Sequence, residues 1–364
     1  MDPNWLRKRL FDSVNYRLRT FAGGKFASYC RPPSIIFLLT ERCNAHCVHC
    51  DIWKNRGKED SPTEEQWATV LTDLRKWLGP VQVSFSGGEA LLKPYTIDLV
   101  KHARAEGLYL EILTHGFWTD QGKIESLALA NPWRVTLSFD GVGETHSKIR
   151  GRERFFEKTS ASIDTFKRVR AEHGLKYTIR LKNVIMSHNV HDTINVAKFA
   201  NQPGMEVFYQ PIEQNYNTPE NTDWWLESEN WPTDIPRVLK NIRELIALKR
   251  QGYHIANSYA QLEAMIPYFE HPESTRVATM SHSAHEVRQT CHALSTLQFQ
   301  ANGDVTVCSG APRVGNIKER SIREIWESRP KFWEGGCCLE RRLTSEERDT
   351  VLVQLASATS SATT

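Results

Sequence analysis

The stretch "LLTERCNAHCVHCDIW" (38–53) carries Cys43, Cys47 and Cys50 in a C-x3-C-x2-C spacing, directly after an apolar run. Clustered thiols of this kind bind metal or do redox chemistry. A closed structural zinc site takes four ligands, usually as two separated pairs. His46 and His49 could in principle supply the fourth, but each adjoins a cysteine in the chain, and closing a tetrahedron with either strains the loop. Three thiolates on a cubane iron–sulfur cluster instead leave one iron without a protein ligand. An open metal position is what a reactive centre needs, and its missing partner is then a small molecule.

A second set of thiols, Cys291, Cys308, Cys337 and Cys338, lies near the end of the chain. Asn302-Gly303 within "LQFQANGDVTVC" is a hairpin turn signal that places Cys308 at the end of the second strand. Neighbouring cysteines point apart in extended chain, so Cys337 and Cys338 can both ligate one centre only if the backbone bends, as Gly335-Gly336 would allow. Four thiolates would close an iron–sulfur cluster; a structural zinc site on the same four is the lesser alternative. Cys30 stands alone and reads as an ordinary buried thiol.

The elements that must position these groups alternate. Strand-like runs are "SIIFLL" (34–39), "VQVSFS" (81–86), "YLEILT" (109–114), "RVTLSF" (134–139), "YTIRLKNVI" (177–185) and "MEVFYQ" (205–210). Helical stretches near 62–78, 92–106, 120–130, 153–172 and 189–201 separate them. "SPTE" (61–64) predicts a capping box, with Ser61 as N-cap, Pro62 first in the helix and Glu64 reaching back. Return crossings of this length imply parallel pairing, hence a doubly wound sheet or a partial (β/α)6 barrel of the TIM type. The "SGGE", "THG" and "FDG" stretches each follow a strand's C-terminal end, the one rim where barrels build active sites, and this favours the barrel. By parity alone, Asn183 and Gln210 could also face the pocket.

The expected organisation is an N-terminal basic helical extension (1–33), the α/β core (34–212), a helical connector (213–290) with helices near 234–252 and 258–269, a cysteine module (291–340), and a C-terminal helix with a polar, disordered tail (341–364). In the extension Leu6, Leu10, Val14, Leu18 and Phe21 recur at helical spacing among Arg7, Lys8, Arg9, Arg17 and Arg19. The favoured reading is a helix docked on the core; a basic amphipathic helix that touches anionic lipid is the alternative, not favoured by the sequence. "TDWWLESENW" could line a substrate mouth, although such tryptophans more often pack.

The 364 residues carry 46 basic and 43 acidic side chains, for a formal charge of +3, so no global nucleic-acid signal exists. No apolar run is long enough to span a bilayer, and no signal-peptide core is evident. Eight cysteines in such a chain point to a reducing compartment, the cytoplasm.

"CNAHCVHC" resembles the signature of the radical S-adenosylmethionine (SAM) superfamily, whose CxxxCxxC loop holds a [4Fe-4S] cluster that SAM chelates through its amino and carboxylate groups. His49 stands where relatives carry an aromatic residue. "SFSGGEALL" (84–92) resembles the family's GGE motif, which implies that Gly87 and Gly88 let backbone approach a ligand and that Glu89 accepts hydrogen bonds from the SAM ammonium. "TLSFDG…HSKIRG" (136–151) resembles the "SxDG…HDxxRG" segment of the subgroup with a C-terminal SPASM or twitch domain. It implies that Ser138 bonds the SAM ribose or carboxylate and that Arg150 grips the carboxylate. Thr114-His115-Gly116 stands where relatives have "TNG". The C-terminal cysteines with "GNIKERSIREIW" (315–326) resemble the SPASM/twitch segment, with room for one auxiliary [4Fe-4S] cluster on Cys291, Cys308, Cys337 and Cys338.

The resemblance implies an α/β enzyme that accepts an electron from a flavodoxin- or ferredoxin-type reductant and cleaves SAM to a 5′-deoxyadenosyl radical. That radical takes a hydrogen atom from a small-molecule or peptide substrate. Oxidation, with the auxiliary cluster as electron acceptor, is the first expectation. Redox-neutral carbon–carbon bond formation or epimerisation, on a peptide or lipid substrate, is the alternative. A zinc-stabilised binding protein is the alternative of another class.

Overall fold

The computed structural model describes residues 3–20, 26, 29–55, 57, 59–215, 223–272, 296–307 and 313–329. Cys291, Cys308, Cys337, Cys338 and the 341–364 tail lie outside the described residues.

Helix α1 (Pro3–Thr20) leads into a repeating strand–helix chain: β1 (Ser34–Leu38), α2 (Glu64–Leu78), β2 (Gln82–Ser86), α3 (Thr96–Ala105), β3 (Tyr109–Thr114), α4 (Gln121–Leu129), β4 (Arg134–Ser138), α5 (Glu144–Arg150), α6 (Phe155–Glu172), β5 (Thr178–Ile185), α7 (Thr193–Ala200) and β6 (Met205–Pro211). All five pairings from β1 to β6 are parallel and sequential, as crossovers through helices require. The connector forms α8 (Trp224–Glu227), α9 (Ile235–Arg250) and α10 (Tyr259–Glu270).

The C-terminal hairpin extends the same sheet. Strand β7 (Thr296–Phe299) pairs in parallel with β1, and β8 (Asp304–Thr306) and β9 (Gly315–Asn316) follow antiparallel, with α11 (Ile322–Glu327) behind them. The strand order is β6-β5-β4-β3-β2-β1-β7-β8-β9. Phe37 of β1 stacks on Phe299 of β7 at 4.4 Å and meets Phe85 and Trp67 edge-on, which ties the two segments through one core. Burying four such rings contributes several kcal/mol, at about 2 kcal/mol each.

One prediction is corrected at α2. The helix starts two residues later than "SPTE" suggests: Thr63 is the N-cap, and Gln66 closes the capping box. Ser61 is held elsewhere, by Lys93 Nζ at 2.6 Å, so a tertiary contact outcompetes the local cap.

The two sheet faces differ in kind. On one, Phe37, Phe85, Ile112, Val135, Ile179 and Val207 are fully or almost fully buried within the apolar core. On the other, register aligns Ser84, Glu111 and Arg134 in one row and Thr136, Arg180 and Glu206 in the next. Glu111 accepts from Arg134 Nη2 at 2.7 Å and from the Thr136 hydroxyl. Arg180 Nε donates to Glu206 at 2.7 Å. Polar pairs cover this face, which is the lumen side of a partial barrel.

Candidate active site

The cysteine loop leaves β1 at the C-terminal rim and is clamped from both sides. On one side Gly88 N donates to Thr40 O at 2.7 Å and Glu89 N donates to Arg42 O at 2.9 Å. On the other, His46 N donates to Arg150 O at 3.1 Å and Val48 N to Ile149 O at 2.9 Å, at the last turn of α5. The clamp needs glycine. A Cβ at Gly88 would sit 2.3 Å from Arg42 O, and one at Gly151 would sit 2.2 Å from His46 O. The GG pair thus admits the cysteine loop itself, whereas the motif alone suggested only room for a ligand. Gly87, at φ +126, and Gly151, at φ +69, also hold backbone angles that other residues rarely adopt.

Cys43, Cys47 and Cys50 gather around Ala45, Phe117 and Phe155 as one apolar cluster. Burial pushes the Cys43 thiol up to about 12 and raises Cys47 and Cys50 as well. Such thiols stay protonated and inert until a metal displaces the proton. Three thiols in one loop are a donor set suited to a polynuclear cluster with one iron left open, and the His46 ring lies 4.7 Å from that of Trp53.

Arg150 is brought to this loop by α5. Its Nη2 pairs with Asp140 Oδ2 at 2.5 Å and its Nη1 lies 3.5 Å from Cys47 Sγ. Burial acts most strongly, and against the Asp140 carboxylate, but the Arg150 guanidinium together with the neighbouring groups and the Val184 amide outweighs it and holds the pKa below the usual range. Asp140 Oδ1 also accepts from Val184 N at 3.0 Å, which joins β4's end to β5.

Glu89 is wholly buried. Its oxygens accept from Thr114 Oγ1 (2.9 Å), His115 N (2.9 Å) and Leu91 N (3.2 Å), so it joins the GGE turn to the "THG" turn after β3. Burial pushes its carboxyl up to about 7. His115 Nδ1 accepts from Phe117 N at 2.9 Å, which puts the ring proton on Nε2, 2.6 Å from Asn44 Oδ1 in the cysteine loop. Burial lowers its pKa to about 3, and the ring is neutral.

Ser138 ends β4 on the lumen face, in register with Lys182 of β5. Gln210 is on β6, whereas Asn183 is buried with its amide bound to Phe139 O at 3.0 Å. Sequence reasoning passed over Asp140, Asn44 and Lys182. Asp140 lay inside the quoted "FDG", and Lys182 interrupts a strand at a lumen-facing position, a signal that alternation could have flagged. Burial lowers the pKa of Lys182, whose ammonium makes no hydrogen bond or ion pair among the described residues.

Residues 37–192 match the model of the radical SAM superfamily, and residues 291–348 match an iron–sulfur cluster-binding domain, SPASM. The AdoMet-dependent heme synthase of Methanosarcina barkeri is 25% identical over 313 residues, covering 83% of this chain and 84% of that protein. In fold, the chain resembles SuiB of Streptococcus suis bound to S-adenosylmethionine, with a TM-score of 0.59 at 15% identity over 81% of this chain. It spans 65% of SuiB's length. It also resembles anSMEcpe with bound AdoMet, with a TM-score of 0.59 at 16% identity, over 91% of this chain and 99% of that one. The chain belongs to the radical SAM superfamily through residues 37–192 and carries a SPASM iron–sulfur domain through 291–348; its cofactors are accordingly SAM, the [4Fe-4S] cluster that binds it, and further iron–sulfur.

Proposed function

We propose that Cys43, Cys47 and Cys50 ligate the SAM-binding cluster and that the enzyme oxidises an unactivated C–H of its substrate, with an auxiliary cluster on Cys291, Cys308, Cys337 and Cys338 as the electron acceptor. The observation that carries this reading is the clamped loop: three clustered thiols, Cys47 buried and Cys43 and Cys50 partly so, held between the GGE turn and Arg150 at the barrel rim. When bound, the cluster supplies the electron that cleaves SAM. The chain does the rest. Gly87, Gly88 and Gly151 fix the loop; Glu89 offers a buried carboxylate to the SAM ammonium; Ser138 faces the ligand from β4. Arg150, backed by Asp140, sets a positive charge against Cys47 and grips the SAM carboxylate. The polar lumen positions the substrate and excludes bulk water.

A flavodoxin- or ferredoxin-type protein in the cytoplasm is the proposed reductant. Redox-neutral bond formation or epimerisation is the second reading, since the core alone is common to all these outcomes. The test is anaerobic reconstitution with iron and sulfide, then dithionite and SAM. 5′-Deoxyadenosine forms in the native protein and is lost in Cys43→Ala, Cys47→Ala and Cys50→Ala. Iron that persists in the triple variant and falls only when Cys291 and Cys308 are also replaced supports the auxiliary cluster. A colourless protein that binds zinc alone would overturn the proposal.

A further inference from the structure

We propose that the outer face of α1 seats this protein on an anionic membrane surface. The helix is docked by its inner face alone. Trp5 packs edge-on against Tyr109 at 5.5 Å and lies 6.5 Å from Trp133, beneath the N-terminal ends of β3 and β4. Asn15 is buried and accepts from Arg31 N at 2.8 Å. On the opposite face Leu6, Leu10 and Val14 stand one above another at i, i+4 and i+8, with 56%, 66% and 47% of their surface exposed.

This stripe is not background. Of the eleven large apolar side chains exposed among the described residues, six fall between Leu6 and Tyr29, and the other five are scattered from Val48 to Tyr259. Arg7, Arg9 and Arg17 are exposed on the same side and make no ion pair among the described residues. The helix's acid among its described residues, Asp12, is turned to Lys8 at 2.5 Å. The outer face is therefore apolar and cationic, with no counter-charge of its own. Among the described residues no helix is long and apolar enough to cross a membrane, so the geometry fits a helix lying in the interface. Its leucines and valine would enter the headgroup boundary, with arginines on lipid phosphates. A second copy is the poorer occupant, because a two-fold contact through this face would set Arg7, Arg9 and Arg17 against their own images.

The inference is independent of the proposed reaction. The full-length, cluster-loaded protein is floated with vesicles of phosphatidylcholine alone or of phosphatidylcholine with phosphatidylglycerol. Flotation is expected only with the anionic vesicles, weakening as salt is raised. Arg7→Gln/Arg9→Gln/Arg17→Gln should lower partitioning roughly 100-fold, at a few-fold per charge. Leu6→Ser/Leu10→Ser/Val14→Ser should abolish it, with iron content and helicity unchanged because these side chains face solvent. Two results would overturn the idea: native protein that stays with the unfloated fraction on anionic vesicles, or flotation that survives both triple variants. So would a concentration-dependent dimer by light scattering that the Leu6/Leu10/Val14 variant loses, which would assign the face to self-association.

Discussion

Replacing Asp140 by Asn should destabilise the cluster-free protein by about 4 kcal/mol. Asp140 is wholly buried, Arg150 nearly so, and their charged groups meet at 2.5 Å. At an effective dielectric of about 20, charges roughly 3 Å apart attract by about 5 kcal/mol. Asn returns some of that loss, since it need not be desolvated as an ion, and its Oδ1 can still accept from Val184 N. Its amide, however, presents a donor to a guanidinium that is itself all donors, and Arg150 Nε already lacks a hydrogen-bond partner. An uncompensated buried charge costs about 3–5 kcal/mol, and about 4 kcal/mol is roughly a thousandfold in the folding equilibrium. Arg150 also touches Cys47 Sγ, so thiolates in a loaded site would give it a substitute partner. The penalty should therefore be smaller with the cluster bound. Anaerobic urea unfolding measures the cluster-free cost, and melting with and without reconstituted cluster measures the difference. In Asp140→Asn/Arg150→Met, which removes both charges, much of the lost stability should return. A cluster-free cost below about 1 kcal/mol, or a double variant no better than Asp140→Asn, would refute the account.

Gly88→Ala should cut cluster incorporation severely, because the new Cβ would lie 2.3 Å from Arg42 O in backbone that cannot yield; iron per chain after reconstitution is the readout. Gly151→Ala combines a 2.2 Å approach to His46 O with φ +69, and should displace the other side of the same loop with a comparable loss of iron. Glu89 has a carboxyl raised to about 7 in the fold against an ordinary 4.5, so its ionised form opposes folding. Stability of the cluster-free protein should fall by up to about 3 kcal/mol as pH rises from about 4.5 to about 7, then level off, and Glu89→Gln should flatten that slope in urea titrations. Lys182→Met should leave the melting temperature unchanged or raised, because it removes a desolvated cation that makes no hydrogen bond or ion pair among the described residues; a marked fall would show that the ammonium has a structural role.

The six parallel strands were legible because each carries a short apolar run bounded by helix-length spacers, and the rim was legible because "SGGE", "THG" and "FDG" recur at strand ends. Local cues served less well where a distant residue competes. Ser61 has every property of an N-cap, yet Lys93, thirty-two positions on, takes its hydroxyl, and Thr63 caps α2 instead. The continuation of the sheet through β7 could not be read from its four residues, since nothing in "TLQF" specifies β1 as neighbour. It is decided by Phe299 stacking on Phe37.

The site residues make the same distinction sharper. Motif spacing singled out Glu89 and Arg150 but said nothing of what holds them, because both act across distances that one-dimensional pattern cannot carry. Glu89 reaches twenty-six positions to His115, and Arg150 reaches back over a hundred to Cys47. These long contacts weld the loops after β1, β2, β3 and β4 into one rim. A change at any of them should be felt at the cysteines even where no side chain touches sulfur: Asn44 to His115, His115 to Glu89, and Gly88 to Thr40 form an unbroken path around the loop. The glycines are the exception that sequence could have disclosed. Three positions that tolerate no Cβ, two in "GGE" and one closing "KIRG", mark where backbone must meet backbone, and all three meet the chain between Thr40 and His46 that carries the first cysteine.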